Sequence, residues 1–484
     1  MDGNWICFIP LELKMNKNTL LFLLLANTIW AQQPVFLNYS AAGFTDIVLT
    51  PENDLIAVGR NFAGDRIEIW KLNANGDEIW HKTLPIFQNV VMDHITITND
   101  HNYIVSGNLS YAPGLTKLAF IKFSPEGEII WESYPEILKS MEVGNLFQLA
   151  DNSFVMTGTS GNSGTPYYSL LHFDSTASNL LDFTQHLVEN DTFFTNWQTP
   201  KDSYLNIDKE RIIAVCDDNA SGSSFNSDAY VMNFSTSGQL IWKTKIDLGQ
   251  TDKVASALPL KDKSIAICGH TNQDFFPTWT RAFVTKLNEN GEVLWTNYYD
   301  STGIGAPIAG LDLVALENGD LLITGNKIGA PKYNIFLLLL DSLGNEKKRM
   351  VLWRDDHDDF PLSMVKLENN IIAIAGHQDG FWLYKNLLVL FPLSVITDTK
   401  NLVINSPLFD VYPNPVGNEL NLRYEQVESR SIRLEIYSST GDVLYSGRPQ
   451  GRIEMSSYPN GIYYFVMSDI GTSKTYLRTV VKGR

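Results

Sequence analysis

Aromatic side chains cluster in three irregular segments of the sequence, and such side chains could form a binding site. They are His270, Phe275, Phe276, Trp279, Trp197 and Trp353. Exposed aromatic rings suit the apolar faces of sugars or an aromatic side chain of a protein partner. The same rings could instead pack these segments onto the body of the protein. Both interpretations stay open, and the six residues are the candidate ligand-binding residues.

A run of acidic residues, Asp355-Asp356-His357-Asp358-Asp359, could offer oxygen ligands to calcium. The run lacks the D-x-D-x-D-G spacing of a calcium-binding loop. We therefore predict a solvated acidic loop, and we expect neither a metal site nor a cofactor.

Signatures of catalysis are absent from the sequence. No G-x-S-x-G, H-E-x-x-H or P-loop pattern occurs. The sialidase-type motif S-x-D-x-G-x-x-W places Trp three residues after Gly, whereas here the interval is four. No catalytic residue can be nominated, although a site assembled from distant segments remains possible.

The elements that must position these residues form a repeat of about fifty residues. A clear copy reads LDLVALENGDLLITG from Leu311, followed by YNIFLLLLDSLGNE. Each copy contains four short apolar runs, A to D, separated by glycine-rich turns, which is a strand and hairpin pattern. Run B closes on Gly59, Gly107, Gly158, Asp217, Gly269, Gly325 and Gly376. In four copies a Trp follows a turn glycine by four residues, as in Gly76/Trp80, Gly127/Trp131, Gly238/Trp242 and Gly291/Trp295.

Seven four-stranded units predict an all-β fold, a seven-bladed β-propeller over residues 32–392. A long array of β-sandwiches is the competing architecture. A ring leaves no free edge, so we expect the N-terminal segment Phe36–Ser40 to complete the last blade. The alternative is that Leu387–Phe391 fills that place.

The A–B and C–D turns are short, whereas the B–C and D–A connections are long and irregular. In an antiparallel blade these two sets lie on opposite faces. Long variable loops on a rigid scaffold usually carry binding sites. We therefore expect the site on the B–C/D–A face or in the channel mouth that it surrounds.

The 484-residue chain carries a net charge of −17, and this charge is unevenly distributed. Residues 32–408 hold 26 basic and 44 acidic residues, net −18, while 409–484 is near neutral. Such an acidic chain without a basic patch does not favour nucleic-acid binding.

The N-terminal region, 1–31, has the plan of a secretory signal peptide, with Met15 as the expected start and cleavage expected after Ala31. A membrane anchor is the alternative. No later apolar run is long enough for a transmembrane helix. Cys216 and Cys268 occupy equivalent repeat positions, and we predict buried strand residues rather than a disulfide.

Residues 393–408 are predicted to be a linker, and 409–484 a small immunoglobulin-like β-sandwich of short alternating strands. Its landmarks are Tyr412, Pro413, Asn414, Pro415, Gly441, Pro459, Gly461, Tyr463 and Lys482. In this order they resemble the type A C-terminal sorting domain of the type IX (Por) secretion system. An ordinary adhesive sandwich is the alternative.

That resemblance implies a Bacteroidota protein that passes through the Sec pathway and folds in the periplasm. It also implies two partners, an outer-membrane translocon and a sortase that removes the domain. The protein would then be exported cargo at the cell surface or outside the cell. For the propeller, binding of a glycan or a surface protein is the leading hypothesis. A hydrolase or lyase acting on polysaccharide or peptide, and a structural surface component, are the alternatives.

Overall fold

A computed structural model of the protein describes residues 35–482 apart from a set of short gaps and connections. The chain divides into two compact units, one containing residues 35–397 and the other 401–482. Not described are 38–41, 62–65, 86–89, 113–114, 138–140, 163–164, 188–201, 206–209, 218–226, 250, 273–279, 300–307, 330–331, 353–357, 369, 379–384, 398–400, 405–408, 415, 425–431, 439–442 and 470–473. The predicted signal peptide, 1–31, lies outside the described residues.

The first unit is built almost entirely of strands. They are β1 (Val35–Leu37), β2 (Ala42–Leu49), β3 (Leu55–Asn61), β4 (Arg66–Leu72), β5 (Glu78–Pro85), β6 (Val90–Ile97), β7 (Tyr103–Ala112), β8 (Leu115–Phe123), β9 (Ile129–Ser133), β10 (Glu136–Ile137), β11 (Met141–Gln148), β12 (Phe154–Asn162), β13 (Thr165–Phe173), β14 (Leu180–Leu187), β15 (Asp202–Leu205), β16 (Arg211–Asp217), β17 (Ala229–Ser235), β18 (Leu240–Ile246), β19 (Thr251–Pro259), β20 (Ile265–Asn272), β21 (Thr280–Leu287), β22 (Val293–Tyr299), β23 (Ile308–Ala315), β24 (Leu321–Gly329), β25 (Lys332–Leu340), β26 (Glu346–Leu352), β27 (Asp359–Lys366), β28 (Ile371–Gln378) and β29 (Lys385–Pro392).

These strands form the predicted seven-bladed β-propeller. Blade 1 is β2–β5, blade 2 is β6–β10, and blades 3 to 6 take four consecutive strands each. Their first strands contact one another in order round the ring, and β27 of blade 7 contacts β2. Blade 7 contains β27, β28 and β29, and β1 is its fourth strand. Phe36 pairs with Val389, so the N-terminal segment completes the last blade and Leu387–Phe391 belongs to its third strand.

The closing glycines of the repeat permit a bulge in strand A. Opposite Gly325 the register shifts between Gly310 and Asp312. A Cβ on Gly325 would lie 1.8 Å from the backbone oxygen of Ala309. Gly59, Gly269 and Gly376 face the same kind of contact. The glycine is therefore required because the bulged backbone approaches too closely for a side chain.

The repeated Trp joins neighbouring blades. Trp80 of blade 1 donates from Nε1 to the Pro125 carbonyl of blade 2 at 2.9 Å, and its ring lies against Gly127. Trp242 contacts Gly291 of blade 5 in the same way, and its Nε1 donates to Glu289 O at 2.9 Å. The spacing of four residues thus places the indoles of Trp80 and Trp242 over the turn glycine of the next blade.

The lysine of the third strand also has a repeated role. Lys122 lies 2.7 Å from Asp100, and Lys286 lies 2.9 Å from Asp262. Each pair joins strand C to the A–B turn of its own blade. The A–B turns share a residue with positive φ, at Asn53, His101, Asn152, Lys263, Gly319 and Asn370. The A–B turns of the six blades in which the structure describes them therefore share one backbone geometry.

On the opposite face, three of the connections expected to be irregular are regular hairpins. In blades 2, 3 and 6 the second and third strands continue pairing beyond the closing glycine, as far as Gly329 and Lys332 in blade 6. Cys216 and Cys268 are buried in β16 and β20, as predicted.

The second unit contains two packed sheets, which confirms the small β-sandwich. Its strands are β30 (Asn401–Ile404), β31 (Phe409–Tyr412), β32 (Glu419–Tyr424), β33 (Ile432–Ser438), β34 (Val443–Gly447), β35 (Arg452–Glu454), β36 (Gly461–Asp469) and β37 (Lys474–Lys482). One sheet has the order β30-β37-β36-β33-β34, and the other is β31-β32-β35. Leu420, Leu434, Ile436 and Phe465 lie in the core between them.

The stretch expected to be a linker, 393–408, is partly ordered into elements. It contains a short helix, α1 (Ser394–Thr397), and β30, which pairs in parallel with β37. In the part of the chain that the structure describes, no helix is long and apolar enough to span a bilayer.

Candidate functional site

The centre of the propeller contains a cavity of about 670 Å³. The first strands of the blades line it, and six of them, all except that of blade 4, place a polar residue in its wall at or next to the bulge. These residues include Asp46, His94, Asn145, Ser256, Asp312 and Ser363. A polar residue here follows from the bulge, since a disrupted ladder leaves backbone N–H groups that require an acceptor.

Asp46, in blade 1, links its neighbours on both sides. Its Oδ1 accepts from Ile47 N at 2.8 Å and from the Ser363 hydroxyl of blade 7 at 3.2 Å. Its Oδ2 accepts from Ile95 N of blade 2 at 3.0 Å. Burial raises the pKa of Asp46, while the charge of His94 and these hydrogen bonds oppose the rise.

Asp312, in blade 6, repeats this arrangement. Its Oδ1 accepts from the Ser256 hydroxyl of blade 5 at 2.9 Å and from Leu313 N at 2.7 Å. Its Oδ2 accepts from Met364 N of blade 7 at 2.6 Å. Burial raises the pKa of Asp312 to about 7; the three hydrogen bonds oppose that rise and the charge of Asp46 adds to it.

Side-chain hydrogen bonds connect every pair of adjacent blades near the cavity, and we call this set the inner hydrogen-bond ring. The two Asp residues supply four of the seven junctions. The others join Thr96 Oγ1 to Leu146 O at 2.7 Å, Ser203 Oγ to Asn145 Oδ1 at 3.2 Å, and Tyr204 Oη to Ser256 Oγ at 3.5 Å. These polar residues of the cavity wall therefore have a structural role, since their hydrogen bonds connect adjacent blades.

A carboxyl group that titrates near neutral pH could exchange a proton with a molecule in the cavity. Against this, both oxygens of Asp46 and both oxygens of Asp312 already accept hydrogen bonds. A catalytic carboxylate would have to give up one of these bonds to act on a substrate. The geometry therefore supports a structural role for Asp46 and Asp312 better than a role in acid–base catalysis.

The cavity extends towards the short-turn face. Residues at the ends of strand A line it there, including Leu260, Lys261, Ala315 and Lys366. The site predicted on the B–C/D–A face stays a prediction. Much of the B–C/D–A face, including 188–201 and 273–279, lies outside the described residues.

Of the six candidate ligand-binding residues, the structure describes His270 alone. His270 lies on β20, paired with Lys253 on one side and Ala282 on the other. The five others, Phe275, Phe276, Trp279, Trp197 and Trp353, fall outside the described residues. In the acidic run, Asp358 accepts a hydrogen bond from Tyr333 N at 2.8 Å, and Asp359 is buried in β27.

Sequence analysis did not identify Asp46 or Asp312 as site residues. A signal was present, because both occupy the same place in the repeat, directly before the apolar end of strand A, in DIVL and DLVA. An aligned polar residue in a buried strand indicates either a structural hydrogen bond or a site.

In the second unit, the C-terminal lysine holds a loop in place. The Nζ atom of Lys482, which is buried, donates to the carbonyl oxygens of Met455, Ser456 and Tyr458. The Tyr463 hydroxyl donates to Pro459 O. Tyr412, Pro413 and Asn414 are exposed, whereas Pro415 and Gly441 lie outside the described residues. Lys482 and Tyr463 thus fix the backbone of the loop from Met455 to Pro459.

Residues 410–482 match the family model described as the secretion system C-terminal sorting domain. This segment is a C-terminal sorting domain. The sorting domain makes the protein a cargo of the type IX secretion system, exported to the cell surface or the extracellular space. Its partner is accordingly the type IX secretion machinery.

Solved structures resemble the chain at low identity, and no curated protein matches it. The periplasmic gluconolactonase PpgL of Pseudomonas aeruginosa is 10% identical, with a TM-score of 0.47, over 89% of this chain and 99% of that chain. A protein of unknown function from Dyadobacter fermentans is 11% identical, with a TM-score of 0.43, over 74% and 98%. The α-L-arabinofuranosidase Arb93A of Fusarium graminearum is 12% identical, with a TM-score of 0.41, over 64% and 95%. Similarity at this level does not define an activity.

Proposed function

We propose that the propeller is a binding module displayed outside the cell, and that its B–C/D–A face binds a glycan or a protein surface. The supporting observation is the contrast between the two faces. One face consists of short turns with a shared backbone geometry. The other carries extended hairpins in three blades and long connections such as 188–201. Sequence variation confined to one face of a rigid ring is typical of a binding surface.

The chemistry proposed for this face is aromatic. His270 is followed by the connection that holds Phe275, Phe276 and Trp279. Flat rings provide large contact areas with little loss of side-chain entropy, and they stack on the C–H faces of sugars. A glycan of the cell surface or its surroundings is therefore the first ligand class to test.

Binding should be measured on the full chain against a glycan array and against outer-membrane proteins. Replacing Trp279 or Phe276 by Ala should weaken binding about tenfold or more if these rings are central contacts. Tyr298→Ala is the matched control, since Tyr298 is an exposed aromatic residue on the fourth strand of the same blade. Equal effects of all three substitutions would contradict the proposed surface.

A hydrolase or lyase is the second candidate, and one observation favours it. Two carboxyl groups with raised pKa values, Asp46 and Asp312, lie beside the central cavity, and such pairs are common in active sites. Polysaccharide turnover by the wild type that is lost in Asp312→Asn, with the fold retained, would favour this candidate. Absence of turnover with retained glycan binding would favour the binding module.

A further inference from the structure

Three carboxylates meet between blades 4 and 5, outside the central cavity. They belong to Asp228 before β17, Asp247 after β18 and Asp252 in β19. One oxygen from each lies within 4.8 Å of the others. Asp247 is exposed, Asp228 is partly buried, and Asp252 is wholly buried.

The position of Asp252 in the repeat is apolar in four of the described blades, whereas blade 7 has Asp359 there. Asp252 pairs with Thr271, two residues beyond the closing Gly269. The same position holds Ala42, Val90, Met141 and Ile308 in blades 1, 2, 3 and 6. An acid in place of these residues costs free energy unless its charge is compensated.

Two ammonium groups of the described residues lie at or near this cluster. Lys245 Nζ lies 2.6 Å from Asp228 Oδ2, which neutralises one carboxylate. The next amine, Lys253 Nζ, donates to Ser227 Oγ at 3.0 Å and lies 3.7 Å from Asp217. Burial raises the pKa of Asp252; Thr271 and the Leu248 N–H oppose that rise, and the charges of Asp228 and Asp247 add to it.

Two buried oxygens at this place lack a hydrogen-bond partner among the described residues. Asp252 Oδ2 accepts from Leu248 N at 2.6 Å, but Asp252 Oδ1 accepts no hydrogen bond. The Thr271 hydroxyl, also wholly buried, lies near enough to the Asp252 carboxylate to lower its pKa. Buried oxygens beside two further carboxylates are ligands that a hard cation could take.

We propose that Asp228, Asp247 and Asp252 bind a calcium ion between blades 4 and 5, with the Thr271 hydroxyl as a neighbouring oxygen. The three ligands are all oxygens, which suits a hard cation. Two oxygens bound at about 2.3–2.6 Å to one Ca²⁺ can be up to about 5 Å apart, whereas around Mg²⁺ the limit is about 4 Å. The oxygens of this cluster lie within 4.8 Å of one another, which is within the reach of one Ca²⁺.

Calorimetric titration of the full chain with CaCl₂, after removal of ions with a chelator, tests this site. The wild type should bind one Ca²⁺ with saturation, and its thermal unfolding midpoint should rise in Ca²⁺. Asp252→Asn and Asp247→Asn should each weaken binding about tenfold or more, because they remove ligand charge. Asp247 is exposed, so its variant should fold even if the Asp252 variant does not.

Asp359→Asn is the matched control. Asp359 occupies the same repeat position in blade 7 and is equally buried, but it does not belong to the cluster. This variant should keep the full calcium response. Asp252→Asn should be more stable than the wild type in chelator and less stable in Ca²⁺, a reversal that a purely structural aspartate would not show. No saturable Ca²⁺ binding, preferential binding of Mg²⁺, or calcium binding unaffected by both cluster variants would overturn the proposal.

Discussion

Asp46 and Asp312 are bound by consecutive residues of a single strand. The Ser363 hydroxyl donates a hydrogen bond to Asp46, which lies in blade 1, and the Met364 N–H donates one to Asp312, which lies in blade 6. Both donors lie on β27, the first strand of the blade that β1 completes. The blade in which the ring closes is therefore held on both sides by a carboxyl group.

The stability of the propeller should depend on the protonation of Asp312. Its folded-state pKa of about 7 lies above the ordinary value of 3.8. The folded state therefore retains a proton that the unfolded state has lost, and stability falls as pH rises from about 4 to about 7. We expect urea unfolding to show up to about 3 kcal/mol less stability at pH 8 than at pH 5 from this group. In Asp312→Asn that component should vanish; an identical pH profile in both proteins would refute the assignment.

Removal of the closing strand should destabilise the propeller. A chain that begins at Asn38 lacks β1 and leaves β29 as an unpaired edge, whereas a chain that begins at Val35 keeps it. We expect the shorter chain to lose roughly 1–3 kcal/mol in urea unfolding, from the lost ladder hydrogen bonds. It should also aggregate faster, because a bare edge pairs with other chains. Equal midpoints for the two truncations would argue against closure by β1.

The contact between Trp242 and Gly291 should be sensitive to one added methyl group. A Cβ on Gly291 would lie 2.6–2.7 Å from the Trp242 ring, whereas one on Gly319 would meet no atom closer than 3.7 Å. Both glycines have positive φ, at 83° and 84°, so both alanine variants carry the same backbone cost. We expect Gly291→Ala to be less stable than Gly319→Ala by about 1–3 kcal/mol. Chemical unfolding followed by Trp fluorescence measures the difference, and similar losses would show that the ring moves aside freely.

Lys482 should be required for a folded sorting domain. Its ammonium group donates to three backbone carbonyls, and Lys482→Met would leave them without this donor. We expect a loss of about 2–3 kcal/mol and a fall in the amount exported. Arg452→Met is the control, since Arg452 is an exposed cation paired with Glu419 at 3.0 Å. Cell fractionation and secretion assays should separate the two; equal export would contradict the role of Lys482.

Much of the fold could be predicted because the repeat encodes local geometry. Gly325 and its equivalents mark where strand B lies against the bulge of strand A. The interval of four residues between a turn glycine and its Trp, as in Gly76/Trp80, marks the residue that contacts the next blade. These features recur at fixed spacing, so a single sequence is enough to detect them. The closing role of Phe36 followed from the need of a ring to leave no edge.

The polar contacts could not be predicted with the same success. Asp46 and Asp312 acquire their partners from other blades, at separations that no local pattern reports. The carboxylates of Asp228, Asp247 and Asp252 likewise meet through the packing of blade 4 against blade 5. The extension of the β24–β25 hairpin to Gly329 was not predicted, because its residues have weak strand propensity although the two strands continue to pair there.

The pairing of β1 with β29 also bears on the order of folding. Residues near 35 are synthesised first, yet their strand partner near 390 follows more than seven-tenths of the chain later. Loop closure over such a separation has to come late, because its entropic cost is met only when the intervening blades have formed. A chain interrupted before β29 lacks the strand on which β1 docks. The ring can therefore close only in a chain that has been synthesised at least as far as β29.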